Sequence, residues 1–396
     1  MSSRPKEFLA FSELNRALES RFSDTSLYTG SGYSFLKVVQ HALSYWMLDS
    51  RNKLSADYFH LPSFLILTRY RLRALLRGRM RIPEFRKTLV LDEGRVYTTP
   101  GGEVKSMYFD KIIDAVGRGD LTHVKMGGHA DLKCDHKWSD ISVGAPMPCA
   151  GSRKMLNEIK DCLRRLRASG LFEERELQYI RSAFHVFFES YLVYLELFRK
   201  SKVSNVMFSV HYHKEGMIAA ARDCGIRTIE IQHGLISAND FYYVYSPVFS
   251  NIREKAFFPD YILLYGPYWR DVLLKGSEWQ SSQLIVVGNY LAIPEPKVDI
   301  SIKENIIFIG AQKNLPGPFI EYTLWLQKLI SEKGYPWRIV VKTHPLEKAI
   351  DEYRKSLIPA GVEVVGNEAN LLEILSRARI QISIYSTTFY DALGLG

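Results

Sequence analysis

From residue 306 onward the chain alternates short apolar runs with longer amphipathic stretches, and few folds accommodate such a pattern. Ile306-Ile307-Phe308-Ile309 precedes a helical stretch from about Phe319 to Glu332, and Arg338-Ile339-Val340-Val341 precedes one near 348 to 357. Val362-Glu363-Val364-Val365 and Ile380-Gln381-Ile382-Ser383-Ile384 are the third and fourth runs, each followed by a helical stretch, at about 370 to 378 and from near Thr388. Strands joined through helices in this way predict a parallel sheet with right-handed crossovers.

A second α/β pattern lies upstream. Val206-Met207-Phe208-Ser209-Val210 reads as a buried strand, Lys214 to Cys224 as a helix of small residues ended by Gly225, and Thr228-Ile229-Glu230-Ile231 as a strand that runs into Gln232-His233-Gly234. The Pro-rich stretch within residues 292 to 304 separates the two patterns. A length of 396 residues exceeds what one hydrophobic core usually supports. We therefore expect two Rossmann-like domains, 1–293 and 294–396, the first with a helical extension over residues 1 to about 85. In that extension Phe35, Val38, Val39, Ala42, Leu43 and Trp46 share one face. Thr88-Leu89-Val90-Leu91 and Arg95-Val96-Tyr97-Thr98, broken at Asp92-Glu93-Gly94, predict a hairpin or short paired strands. Residues 120 to 152 read as a long connecting loop, followed by helices from about Lys154 to Ala168 and Glu174 to Lys200. The sequence stops at Gly394-Leu395-Gly396 with no further strand, so we expect a truncated C-terminal domain, either excised from a longer polypeptide or completed by a strand and helix from elsewhere.

Charge is uneven. The chain carries 52 Lys and Arg against 43 Asp and Glu, a net +9 that favours an anionic partner. Eight of the basic residues fall between Arg69 and Lys87, with Glu84 the single acid, and they interleave with Leu72, Leu75 and Leu76. The pattern fits a helix lying on an anionic membrane, a solvated helix face, or a groove for a polyanion. No run reaches the roughly 18 to 20 apolar residues of a membrane span, and the start lacks a secretory leader. Cys134, Cys149, Cys162 and Cys224 are too scattered for a disulfide framework, which agrees with a cytoplasmic location. Cys134, His136 and Cys149 lack the paired second half of a zinc site.

The loop after the second strand of the last sheet holds Lys342-Thr343-His344-Pro345. The lysine brings charge, the histidine a donor for a phosphate oxygen, and the proline a fixed turn. After the fourth strand, Ser386-Thr387-Thr388 offers hydroxyls where a helix begins and phosphates are favoured, with Asp391 one turn on as an acceptor for ribose hydroxyls. By itself each feature is also an ordinary turn or N-cap. Together at the carboxyl ends of two strands in one sheet, they point to a bridged phosphodiester or diphosphate.

The pair resembles the His-Pro and Ser-Ser/Thr motifs of bacterial sialyltransferases and of related capsule and lipopolysaccharide glycosyltransferases of the GT-B type. Ala219-Ala220-Ala221 through Gln232-His233-Gly234, Tyr261 through Gly266, and Val286-Val287-Gly288-Asn289 look like capsule-polysaccharide transferases of that group. The N-terminal part is similar to the β-Kdo transferase module of O-antigen capping enzymes. The resemblance implies two Rossmann-like domains facing a cleft, a CMP-activated ulosonic acid as donor, most simply Kdo, and an oligosaccharide or lipid-linked glycan as acceptor. It implies that Lys342, His344, Ser386 and Thr387 hold the donor phosphate and that the Gly310-Ala311-Gln312 turn faces the nucleotide or sugar. No metal or other cofactor is implied, since the chain has no Asp-x-Asp motif. In those β-Kdo transferases an acidic residue stands near the turn that here carries Gln232, and an amide cannot be a nucleophile. Glu158, Glu230 and Asp240 are then the candidate carboxylates, and His233 the candidate base.

The expected function is therefore transfer of a sugar into bacterial surface polysaccharide, in the cytoplasm and in peripheral contact with the inner membrane through Arg69 to Lys87. CDP-glycerol-type polyol-phosphate transferases and UDP-sugar transferases or epimerases share the architecture. A basic nucleic-acid-binding module would explain the charge but leave both phosphate motifs unused.

Overall fold

The computed structural model describes residues 13, 15–21, 33–48, 62–93, 96–98, 102–126, 132–141, 144–238, 240–250, 256–288, 300–312, 315–344, 347–366, 368–384, 386 and 388–395. The chain divides into two compact units, Met1–Gly288 and Asn289–Gly396.

The first unit is built on strands β1 (Thr88–Asp92), β4 (Leu121–Lys125), β5 (His136–Lys137), β6 (Asn205–Phe208), β7 (Arg227–Ile231), β8 (Tyr261–Leu264) and β9 (Leu284–Val286), with β2 (Val96–Thr98) and β3 (Val104–Ser106) forming a small separate pair. The large sheet runs β5-β4-β1-β6-β7-β8-β9, and every neighbouring pair in it is parallel. Strand β1 is central: Val90 faces His123 of β4 on one side and Met207 of β6 on the other. Leu89, Val90 and Leu91 are fully buried, as a strand covered on both faces requires.

Two expectations are corrected here. The run Thr88 to Leu91 does not form a hairpin with residues 95 to 98. Its apolar side chains need cover on both faces, so it pairs with β4 and β6, while β2 pairs antiparallel with β3. Residues 120 to 152 are not simply a loop, since they supply β4, β5 and the short helix Trp138–Ile141. Polar residues hide β4 in the sequence. In the fold, His123 Nε2 lies 2.9 Å from Asp92 Oδ2 inside the sheet, while its Nδ1 finds no partner among the described residues.

The long helix Glu174–Lys200 organises the helical layer. Its Phe184 and Phe187 meet Phe35 edge-on, with ring centroids 5.3 and 5.5 Å apart, as the helix Leu36–Leu48 packs on it. On another side it receives the helix Glu215–Asp223, whose Ala219-Ala220-Ala221 are completely buried. Gly216 permits that approach, because a Cβ there would stand 2.3 Å from the Phe187 carbonyl oxygen.

The second unit contains β10 (Glu304–Gly310), β11 (Arg338–Lys342), β12 (Glu363–Val365) and β13 (Ala378–Ser383), in the parallel order β12-β11-β10-β13. Ile307, Ile309, Ile339 and Val341 point to one face, against Phe319, Ile330, Tyr353 and Leu357. Ile306, Phe308 and Val340 point to the other, against Leu375, Ala378 and Leu395. Two-sided burial is what the uninterrupted apolar runs demand.

Strand order reverses once in each sheet, between β1 and β6 in the first unit and between β10 and β13 in the second. Such reversal points open a crevice at the carboxyl ends of the strands, where α/β sheets bind ligands. Pro294 and its neighbours at the boundary lie outside the described residues.

Candidate functional site

In the second unit the last rung of the sheet aligns the predicted phosphate residues. Gly310 is in register with Lys342 on one side and Ser383 on the other, and Lys342 with Val365. Adjacent strands are about 4.8 Å apart, so the chain segments leading to His344 and to Ser386 start roughly 10 Å apart, on either side of the reversal point. Gln312 Nε2 donates to the Ile384 carbonyl and ties the ends of β10 and β13 together. Ser386 Oγ and Thr388 Oγ1 are 2.8 Å apart, and Gln381 Nε2 donates to Thr388 Oγ1 at 2.7 Å. Lys342 is half-buried and donates to the Gly366 carbonyl; burial lowers its pKa, against the pull of Glu368. Thr343 is buried and its N–H donates to Val365. His344 is partly exposed just beyond it. Asp391 is buried inside the unit, so it is not turned out toward a ribose as expected. Pro345 and Thr387 lie outside the described residues.

In the first unit a polar network fills the carboxyl ends of β6 and β7. His211 Nδ1 lies 2.5 Å from Glu230 Oε2, and the Tyr243 hydroxyl donates to Glu230 Oε1 at 2.7 Å. That hydroxyl also stands 3.2 Å from His233 Nδ1, while the Tyr212 hydroxyl stands 3.2 Å from His233 Nε2. The network assigns the tautomer. With its own proton committed to Glu230, Tyr243 accepts from His233 Nδ1–H, which leaves Nε2 as the basic nitrogen beside Tyr212. A second buried pair, His41 Nδ1 and Glu215 Oε1, adjoins this network, the His41 and Tyr242 rings lying 5.2 Å apart. Lys37 is buried beneath, donating to the carbonyls of Phe241 and Val244 at 2.7 and 2.8 Å and lying 4.4 Å from the Tyr245 ring centre. Burial pushes its pKa down to about 7, with Glu19, Asp240 and Glu215 opposing.

The candidate catalytic residues divide on burial. Gln232 is fully buried and both ends of its amide serve the backbone, Nε2 donating to Gly234 and Oε1 accepting from Tyr265 N–H. It holds the turn. Glu230 is also fully buried, its carboxylate taken by His211 and Tyr243. Glu158 sits on the buried face of the helix Ala150–Ala168, and its Oε2 finds no partner among the described residues. No hydrogen bond among the described residues links it to the network around His233. Of the five candidates only His233 and Asp240 are partly exposed, and Asp240 Oδ1 accepts from the Tyr242 N–H at 3.1 Å.

Three groups that the sequence reading passed over stand at the first unit's reversal point. Glu93, just after β1, is paired with Lys214 and accepts from Ser209 Oγ at 3.3 Å. His213, between them, has φ +66, the one positive value outside glycine among the described residues. The signal was present in the sequence as His211-Tyr212-His213-Lys214 directly after a strand.

Fold and site together define a protein of two Rossmann-like α/β units, each with polar side chains gathered where strand order reverses. No protein-family model matches the chain, and a search of curated proteins returns no match. Among solved structures it is similar to the UDP-GlcNAc 2-epimerase of Neisseria meningitidis bound to UDP-GlcNAc, with 14% identity, TM-score 0.43, and 75% of this chain and 77% of that one covered. It is also similar to the UDP-N-acetylglucosamine 2-epimerase of Rickettsia bellii, with 15% identity, TM-score 0.44, and 78% and 76% covered. A further neighbour is Anabaena Alr3699/HepE in complex with UDP-glucose, with 10% identity, TM-score 0.41, and 78% of each chain covered.

Proposed function

We propose that this protein is a nucleotide-sugar-dependent glycosyltransferase of bacterial surface polysaccharide that moves a 3-deoxy-ulosonic acid, Kdo, from its CMP donor to an oligosaccharide acceptor. The observation that carries the reading is the shared rung Lys342–Gly310–Ser383, which sets His344 and Ser386 on either side of a reversal point. The donor half of the task falls to residues 294–396 and the acceptor half to residues 1–293. As the bond between the sugar and the CMP phosphate breaks, Lys342 and His344 stabilise the charge left on the phosphate. The acceptor hydroxyl forms the new bond and gives its proton to His233 Nε2, exchanging places with the Tyr212 hydroxyl.

This geometry addresses the phosphate and not the base, so a UDP-sugar enzyme is the second reading. Calorimetric titration with CMP, CDP and UDP separates the two, and His344→Ala is expected to weaken CMP binding at least tenfold. Tighter binding of UDP than CMP moves the assignment to UDP-sugar chemistry. Absence of any nucleotide binding removes the proposal.

A further inference from the structure

We propose that the helix Ser63–Arg77 is a docking surface for an anionic lipid bilayer. Its residues divide into two opposed faces at 100° per residue. Ile66, Leu67, Tyr70 and Ala74 are buried against the unit. On the opposite side, facing water, stand Phe64, Leu65, Leu72, Leu75 and Leu76, with Leu75 and Leu76 73% and 86% exposed. Five large apolar side chains share one exposed helical face, with Thr68 between Phe64-Leu65 and the Leu72, Leu75 and Leu76 cluster, and such a concentration marks an interaction site.

Charge selects the occupant. Helical phase puts Arg69 at one edge of the apolar stripe and Arg71 at the other, and Arg77, Arg79 and Arg81 follow, all exposed. The helix contains no acid. Arg73 is turned inward to Glu189 at 3.0 Å, and Arg86 donates to the carbonyls of Arg118 and Leu121, so these two serve the fold. A second copy of the chain would set two rows of arginine against each other. A nucleic acid would use the arginines and leave the leucines in water. An anionic bilayer satisfies both, its headgroups taking the arginines and its acyl boundary the leucines. Fifteen residues make about 22 Å of helix, shorter than the roughly 30 Å hydrocarbon layer, so the helix lies in the plane of the surface. Its mounting is firm: Gly78 ends it at φ +79, Arg79 bridges to Ala145, and a Cβ on Gly144 would meet the Arg79 backbone at 2.6 Å.

Flotation of the full chain with vesicles of phosphatidylcholine containing 30 mol% phosphatidylglycerol tests the proposal, with pure phosphatidylcholine as control. The expected result is binding to the anionic vesicles alone, reduced at least tenfold in Leu75→Asp/Leu76→Asp and about thirtyfold in Arg71→Ala/Arg81→Ala, at unchanged melting temperature. Three results would overturn it: no binding by the parent chain, binding undiminished by the leucine substitutions, or a parent dimer in sedimentation equilibrium that the leucine variant converts to monomer.

Discussion

Replacing Tyr243 by Phe tests whether the buried network in the first unit sets the state of His233. The phenol ring is buried and stays in place, so the change deletes two interactions and little volume. The bond to Glu230 at 2.7 Å is one to a carboxylate and contributes about 1.5–3 kcal/mol, and the 3.2 Å bond to His233 contributes about 0.5–1.5 kcal/mol. The expected loss is then about 2–4.5 kcal/mol, or roughly 3–8 °C in the melting temperature of a unit this size. Tyr245→Phe is the internal control: that ring is equally buried, but its hydroxyl makes a single 3.4 Å contact with the Phe257 carbonyl, and its loss is expected below about 1 kcal/mol. Calorimetric melting reports the stability, and histidine 15N shifts report the tautomer, with Nδ1–H dominant at His233 in the parent and a mixture in Tyr243→Phe. Equal destabilisation by both substitutions, or an unchanged His233 spectrum, would show that the chain of donors described here does not govern His233.

Gly216→Ala is expected to cost more than 3 kcal/mol or prevent soluble folding, because the added carbon meets the Phe187 carbonyl at 2.3 Å; Gly225→Ala, in open space at φ +68, is expected to cost only about 1–2 kcal/mol by urea titration. Stability is expected to fall as pH drops from 6.5 toward 2. Burial holds His41 down to about 4 in the native state, where its Nε2 finds no partner among the described residues, and Glu215, despite burial, is held down to about 2 by His41. The unfolded chain titrates these groups near 6.5 and 4.5, so it takes up protons that the native state refuses, and this pair's contribution to stability is complete only above pH 6.5. Urea midpoints between pH 7 and 4 check this, with a shallower slope in His41→Gln; a midpoint that rises on acidification contradicts it. At Cys149 burial opposes ionisation but is outweighed by the Ser152 hydroxyl and N–H, by Arg199 at 2.8 Å and by the Gly151 N–H, whereas burial raises Cys162 and Cys224. Iodoacetamide at pH 7.5 is therefore expected to label Cys149 before those two, as peptide mass mapping would show.

The second unit was legible because each of its strands declares itself. Ile306 to Ile309 and Ile339 to Val341 are apolar on both faces, and the helical stretches between them leave one topology open. The first unit was harder for a physical reason. Strand β1 finds its partners 33 and 117 positions away along the chain, at Leu121 and Asn205, while the turn-like Asp92-Glu93-Gly94 offers a nearer and wrong pairing. Strand β4 carries His123 and Lys125 into the interior, and composition cannot announce that Asp92 waits for His123 there. The same blindness affected the candidate catalytic residues. Glu230 looks available in the sequence, but it is buried and bonded to His211 and Tyr243.

The two reversal points differ in the chemistry they present. In the second unit, Lys342, His344, Ser386 and Thr388 are donors or cations, a set suited to an anion. In the first, Glu93 is the exposed carboxylate, paired with Lys214, and the adjoining network ends in an imidazole and a phenol. A carboxylate and a basic imidazole nitrogen can accept a hydroxyl's proton, and the carboxylate repels a phosphate of like charge. Each unit by itself therefore presents one chemistry: donors and cations for an anion in the second, a carboxylate and an imidazole for a hydroxyl in the first.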